Sequence, residues 1–244
     1  MRLGILGGGR AAWAYGSSWR RIGWPIDGVW LRDESLSQLP ELLGVPRKRI
    51  ADLDADLLLI AVSDRAVGEV AAMIPSGAVV FHASGALPSV RGGFSLHPLR
   101  ALPPVGEPSD LRDALLVFEG QHAEIAKSIA DAVGARFAEI AAEDKARYHA
   151  AAVFGSNYVA AMLDIAERFI GIDDARDDLA ALARSAIENW RAHTDSRRFT
   201  GPAARGDAAV LEQHVAALAG DAQVTEIYRL LAAEIARSIL ASEK

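Results

Sequence analysis

The stretch Leu3-Gly4-Ile5-Leu6-Gly7-Gly8-Gly9-Arg10-Ala11-Ala12 constrains the fold more than any other part of the chain. A short apolar run of strand length meets three glycines, and small residues then open a helical pattern. From Gly7 onward the spacing reads G-x-G-x-x-A. Gly7 allows a tight turn, Gly9 lets the backbone approach a pyrophosphate, and Ala12 permits close packing of helix on strand. The helix N-terminus offers unpaired N–H groups to the anion. The spacing therefore predicts a dinucleotide-binding turn; the alternative is a turn that only joins a strand to a helix.

The residues that follow repeat the alternation. Strand-length runs lie at 3–6, 28–31, 56–62, 78–81, 115–118 and 136–140, with helical patterns at 11–22, 66–74 and 124–133. Strand, helix, strand repetition predicts an α/β fold, a doubly wound Rossmann-type sheet with helices on both faces. The composition then changes near residue 142. Nine of the ten Pro and 16 of the 21 Gly precede it, whereas 25 of the last 102 residues are Ala. The expected organisation is a dinucleotide-binding domain over 1–142 and a smaller all-helical substrate and dimerisation domain over 143–244. Four helices are expected in the second part, near 143–170, 174–193, 207–219 and 224–240. A ligand cleft is expected where the two domains meet.

Charge and composition exclude several functions. With a net charge of −6 and pI near 5.5, the chain lacks the basic excess that nucleic-acid binding requires. It has no Cys, which removes disulfides, thiol nucleophiles and thiolate metal sites and is compatible with a reducing cytoplasm. No HxxxH or His-plus-carboxylate cluster suggests a metal site. The longest strongly apolar run, 57–62, is far below the ~20 residues of a membrane helix. Met1 and Arg2 lead at once into the glycine turn, so no signal peptide is expected, and the expected location is cytoplasmic.

The end of the second strand run carries the choice between NAD and NADP. Arg32 suits a 2′-phosphate, and Asp33 with Glu34 suits a ribose hydroxyl. Arg32 directly follows the apolar residues, and the acids read as the first turn of the next helix, where carboxylates favour the dipole. NADP(H) is the expected cofactor, held by Gly7, Gly9, Arg10 and Arg32, with Ser63 and Ser84 lining its path at the carboxyl ends of buried strands. Asp64 is expected to N-cap the helix that follows.

In the helical half, Lys145, His149 and Ser156 fall within a stripe about 40° wide at 100° per residue. Asn157 lies about 80° further round from His149. The rest of this stretch is small and apolar, and burial is expected. A Lys and a His one turn apart at the edge of a cleft can deliver a proton to a carbonyl oxygen; the alternative is a snorkelling Lys beside a core His. His97, at the end of a short apolar run held extended by Pro98, and Arg205, in a turn that joins two helices, are candidate substrate-binding groups with Ser156 and Asn157. The planar fork of Arg205 suits a carboxylate. His122, His193 and His214 read as structural.

These residues together resemble a family. The GGGRAA turn, His82-Ala83-Ser84-Gly85-Ala86, Ser95-Leu96-His97-Pro98-Leu99, Lys145 with Tyr148-His149, Ser156-Asn157 and Thr200-Gly201-Pro202-Ala203-Ala204-Arg205-Gly206-Asp207 look like the Rossmann-like proteins with a C-terminal domain of unknown function 2520. That group is similar in arrangement to the 6-phosphogluconate dehydrogenase-like superfamily, which includes ketopantoate reductase and pyrroline-5-carboxylate reductase. The resemblance implies an NADP-binding domain followed by a helical domain that supplies catalytic and dimer contacts. The chain departs from the pattern of a catalytic Lys with Asn four residues on, since His149 stands at that spacing. The expected function is reduction, with NADP(H), of a small 2-oxo acid of ketopantoate type or a related carbonyl compound. Lys145 and His149 would be catalytic and the protein a homodimer. A dinucleotide-binding sensor without turnover and a cyclic-imine reductase are the alternatives.

Overall fold

The computed structural model describes residues 1–33, 37–75 and 77–242. The elements run in the order β1 (Leu3–Leu6), α1 (Arg10–Arg21), β2 (Ile26–Trp30), α2 (Leu39–Leu43), β3 (Leu57–Ile60), α3 (Asp64–Met73), β4 (Val79–His82), β5 (Phe94–Leu99), β6 (Leu115–Gly120), α4 (Ala123–Val133) and β7 (Arg136–Glu139); the six expected strands and three expected helices are among them, α2 is an addition, and β5 is the extended run that carries His97. They build one seven-stranded sheet in the order β2-β1-β3-β4-β5-β6-β7. Every pairing is parallel except β5 with β6. Strand β3, Leu57-Leu58-Leu59-Ile60, is buried along its whole length, as a central parallel strand covered on both faces must be.

Two cores lie on the two faces of the sheet. The larger gathers Tyr15, Trp19, Leu43, Phe81, Phe94, Phe118 and Ile129, with Phe81 and Phe94 stacked at 4.9 Å between ring centroids. The smaller packs Val67, Val70 and Ile74 against Leu58, Ile60 and Val80. Both sheet faces are therefore sealed. The carboxyl ends of the parallel strands are left as the edge where a ligand can meet the chain.

The helical part departs from expectation at its first element. The continuous helix expected over 143–170 is a 3₁₀ turn, Ala142–Asp144, followed by α5 (Lys145–Phe154) and α6 (Asn157–Phe169). Residues 155 and 156 form a turn between the helices. Helix α5 has no apolar seam strong enough to carry it through Gly155, whose backbone costs more to order than that of any other residue. The expected burial of this stretch is also corrected, since Phe154 is 65% exposed. Next come α7 (Arg176–Ala192), α8 (Pro202–Arg205), α9 (Ala208–Ala217) and α10 (Ala222–Ser242). The expected connecting turn at 200–207 thus contains a one-turn helix, started by Pro202 and stopped by Gly206 in the left-handed region.

By internal contacts the chain divides into two compact units, Met1–Ser156 and Asn157–Lys244. Helix α5 belongs to the first, so Lys145, Tyr148 and His149 pack with the sheet. No helix among the described residues is long and apolar enough to cross a membrane.

Candidate active site

The glycine turn has the shape its spacing requires. Gly7 has φ +122°, and a Cβ there would lie 2.3 Å from the Ala61 carbonyl oxygen, so no other residue fits. Gly9 faces open space. It is the N-cap of α1, whose first turn has neither a side-chain cap nor an acidic residue. An uncapped helix N-terminus behind an open glycine suits a pyrophosphate. Ala12 is fully buried, and Arg10 extends toward the Leu102 carbonyl at 3.4 Å.

Arg32 leaves the end of β2 and pairs with Glu69 of α3 at 2.8 Å, both side chains more than half exposed. Asp33 lies in a bend; Glu34, the other acid read as part of a helix start, lies outside the described residues. The expected cap by Asp64 is also corrected. Ser63 is the N-cap of α3, Asp64 is its first residue, and no side chain caps the helix. The Ser63 hydroxyl stands exposed at the carboxyl end of β3.

A second group of polar residues gathers past the ends of β4 and β5. Lys145, only 2% exposed, donates from Nζ to Ser95 Oγ at 2.7 Å and to the Ser84 carbonyl at 3.3 Å. Burial depresses its pKa, and the carboxylates of Glu119 and Asp64 act the other way. The Ser84 hydroxyl accepts the N–H groups of Ala86 and Leu87 at 3.2 and 3.1 Å, which shapes the turn whose carbonyl meets Lys145. His82 is fixed in one neutral tautomer: Nε2 donates to the Pro88 carbonyl at 2.9 Å, and Nδ1 accepts the Ser84 N–H at 3.2 Å. Its burial lowers the pKa further.

His97 and His149 face each other edge to face, with ring centroids 5.9 Å apart. Between them lies Gly85, where a Cβ would come within 2.6 Å of His149 Nδ1 and 3.0 Å of His97 Nε2. Only a residue without a side chain lets the two rings close on this turn. His97 Nδ1 is hydrogen-bonded to Tyr148 Oη at 2.6 Å. Burial, and then the charges of His149 and Lys145, push the His97 pKa down to about 4, while burial pushes the Tyr148 hydroxyl up to about 12. His149 Nδ1 is buried and has no hydrogen-bond partner among the described residues, the kind of orphaned polar atom that a bound molecule can satisfy.

The fold thus brings Ser84, His97, Lys145 and His149 together. Ser156 is set apart from them by the end of α5, and its hydroxyl donates back to the Ala152 carbonyl at 2.6 Å. Asn157 and Arg205 open α6 and close α8 in the second unit. Four members of the cluster had no role assigned from sequence: His82, Ser95, Glu119 and Tyr148. Ser95 is a polar residue inside an apolar strand run, and that interruption was the signal available for it; Glu119 only closes its run.

Residues 115–235 match the family described as a domain of unknown function, DUF2520. The chain carries a DUF2520 domain. It begins at β6 and includes α5, so Lys145, Tyr148, His149 and Glu119 all lie within it, while the glycine turn precedes it. A search of curated proteins found no match. Among solved structures, a Bacteroides fragilis protein assigned as an NADP oxidoreductase shares 22% identity, with TM-score 0.84, over 97% of this chain and 98% of its own. Protein TM1727 from Thermotoga maritima shares 23% identity, with TM-score 0.78, over 99% of this chain and all of its own. A reductive aminase from Aspergillus terreus in complex with NADPH4, cyclohexanone and allyl amine shares 17% identity, with TM-score 0.64, over 97% and 93%. The DUF2520 match thus begins inside the Rossmann-type sheet, at β6, and the chain as a whole shares its fold with these structures.

Proposed function

We propose that this protein is an NADP(H)-dependent oxidoreductase that reduces a small carbonyl compound. The observation that carries the reading is Lys145, a buried amine held by Ser95 and Ser84 at the end of β4, in the same sheet whose β1 ends in an open, uncapped glycine turn. Gly7, Gly9 and the first turn of α1 would hold the cofactor's pyrophosphate, with Arg10 and Ser63 beside it and Arg32 on a 2′-phosphate. Bound NADPH supplies the hydride. The protein then has to orient the carbonyl group, stabilise charge on its oxygen and deliver a proton there.

An ammonium has three N–H donors. Two of those on Lys145 are committed to Ser95 and Ser84, and the third serves the substrate oxygen. His149 Nδ1, unpartnered and buried, orients the same group. A neutral His97, locked by Tyr148, stands beside His149 without adding charge. The 2-oxo acid class, ketopantoate-like acids included, is carried over from the sequence reading, in which an Arg guanidinium suits a carboxylate. Imines are the second substrate class, supported by the fold likeness to a reductive aminase.

The test is NADPH oxidation by the full chain against 2-oxo acids, simple ketones, and ketones with added amine. Turnover on any class is expected, with 2-oxo acids first. Tight NADPH binding without turnover on any of them contradicts the proposal and favours a dinucleotide sensor.

A further inference from the structure

Glu119 sits near the end of β6, 5% exposed, directly across from Ser95 of β5 in the antiparallel register. Three donors converge on its carboxylate: the Ser89 N–H at 2.7 Å, the Ser89 hydroxyl at 3.0 Å and the Ser95 hydroxyl at 3.3 Å. A buried carboxylate is costly unless it is hydrogen-bonded and balanced by a cation. The cation lies one hydroxyl away. Lys145 Nζ donates to Ser95 Oγ, and because an ammonium only donates, the hydrogen of Ser95 is turned toward Glu119. The chain runs in one direction, from ammonium through hydroxyl to carboxylate, and both of its ends are buried.

We propose that Glu119 is a positioning residue for Lys145: through Ser95, its carboxylate keeps the buried amine protonated and fixes where it points. The inference rests on the reading of Lys145 as the group that acts on a substrate oxygen. Burial alone drives a lysine toward the neutral amine, which has no proton to give. Glu119 opposes that drift most strongly, with Asp64 of α3 adding to it. His82 of β4, His97 of β5, and His149 and Tyr148 of α5 itself are the other ionisable groups described in this cluster. The first two are held neutral by burial, which leaves the carboxylates to set its protonation. Glu119 touches neither cofactor nor substrate in this scheme and acts only through Ser95.

The chain has four lysines, Lys48, Lys127, Lys145 and Lys244, few enough for each side-chain amine to be followed by NMR in the full-length, ¹³C-lysine-labelled protein. Loss of one signal in Lys145→Arg assigns Lys145, and its titration midpoint is then read without substrate. Glu119→Gln, which keeps size and removes charge, is expected to lower that midpoint by about one pH unit or more. Glu119→Asp should restore most of the shift, and Ser95→Ala should lower the midpoint by a smaller amount. A folded Glu119→Gln protein with the wild-type midpoint overturns the proposal. Should Glu119→Gln not fold, Ser95→Ala decides, and a wild-type midpoint there is equally fatal. A lowered midpoint in a protein that reduces no compound tested supports the charge link and counts against the oxidoreductase reading alone.

Discussion

His97 shows how one side chain can be read for both chemistry and stability. Its folded pKa of about 4 lies below the ordinary histidine value, so the unfolded chain binds the proton more readily. Its contribution to stability is therefore complete above about pH 6.5 and is lost as pH falls toward 4. Acidification from pH 7.5 to 5 is expected to cost on the order of 1–2 kcal/mol through this residue. Urea unfolding at the two pH values measures the loss, and His97→Gln should lose less. An equal loss in the variant would place the acid sensitivity elsewhere, with buried His82 the next candidate. Sequence pointed to His97, Lys145 and His149 because ionisable groups stood beside apolar or small residues. It left Glu119 unassigned, because one carboxylate closing an apolar strand looks like any strand end. Its meaning appears only when the antiparallel register sets it opposite Ser95, and a register between strands some twenty residues apart cannot be counted from the chain.

The elements themselves were largely legible. Strand and helix alternation is written in periodicity and turn residues, and the strand cores formed where they were expected. The break at 155 and 156 was missed because small, apolar residues on both sides continue a helical pattern, and one glycine is a weak stop. That break has a consequence for the polar stripe. Counting 100° per residue through it aligned Ser156 with Lys145 and His149, whereas only the latter two share α5. At the other end of the sheet, Arg32 and Glu69 connect β2 to α3 by an exposed ion pair, worth little in water. A 2′-phosphate can therefore take over the guanidinium at small cost. Titration should find NADPH bound more tightly than NADH. Arg32→Ala should weaken NADPH about tenfold, consistent with one lost charge-assisted contact, and leave NADH nearly unchanged. Glu69→Gln should leave NADPH binding equal or tighter. Equal affinities in the wild type would contradict the NADP assignment and promote Asp33.

At the scale of the molecule, the second unit exposes more apolar surface than a solvent face requires. Ile172, Leu182, Trp190, Leu230 and Leu240 are each more than 60% exposed, and the fully buried residues of that unit are few. Large apolar side chains exposed in this way suit an interaction surface where they adjoin, and a second copy of the chain is the proposed occupant, in a homodimer with two-fold symmetry. Sedimentation at micromolar concentration should find twice the 26.0 kDa chain mass, and Leu182→Glu with Trp190→Glu should shift the protein toward monomer. A wild-type monomer at that concentration would contradict the dimer. The central claim, that Lys145 acts on the substrate rather than on the cofactor, is tested most directly by single-turnover reduction in Lys145→Ala, measured beside its NADPH affinity. The account predicts a rate at least about a hundredfold lower, as for the loss of a positioned proton donor, with NADPH affinity changed less than threefold, roughly the size of a minor contact. A variant that reduces substrate at the wild-type rate, or one that no longer binds NADPH, would contradict it.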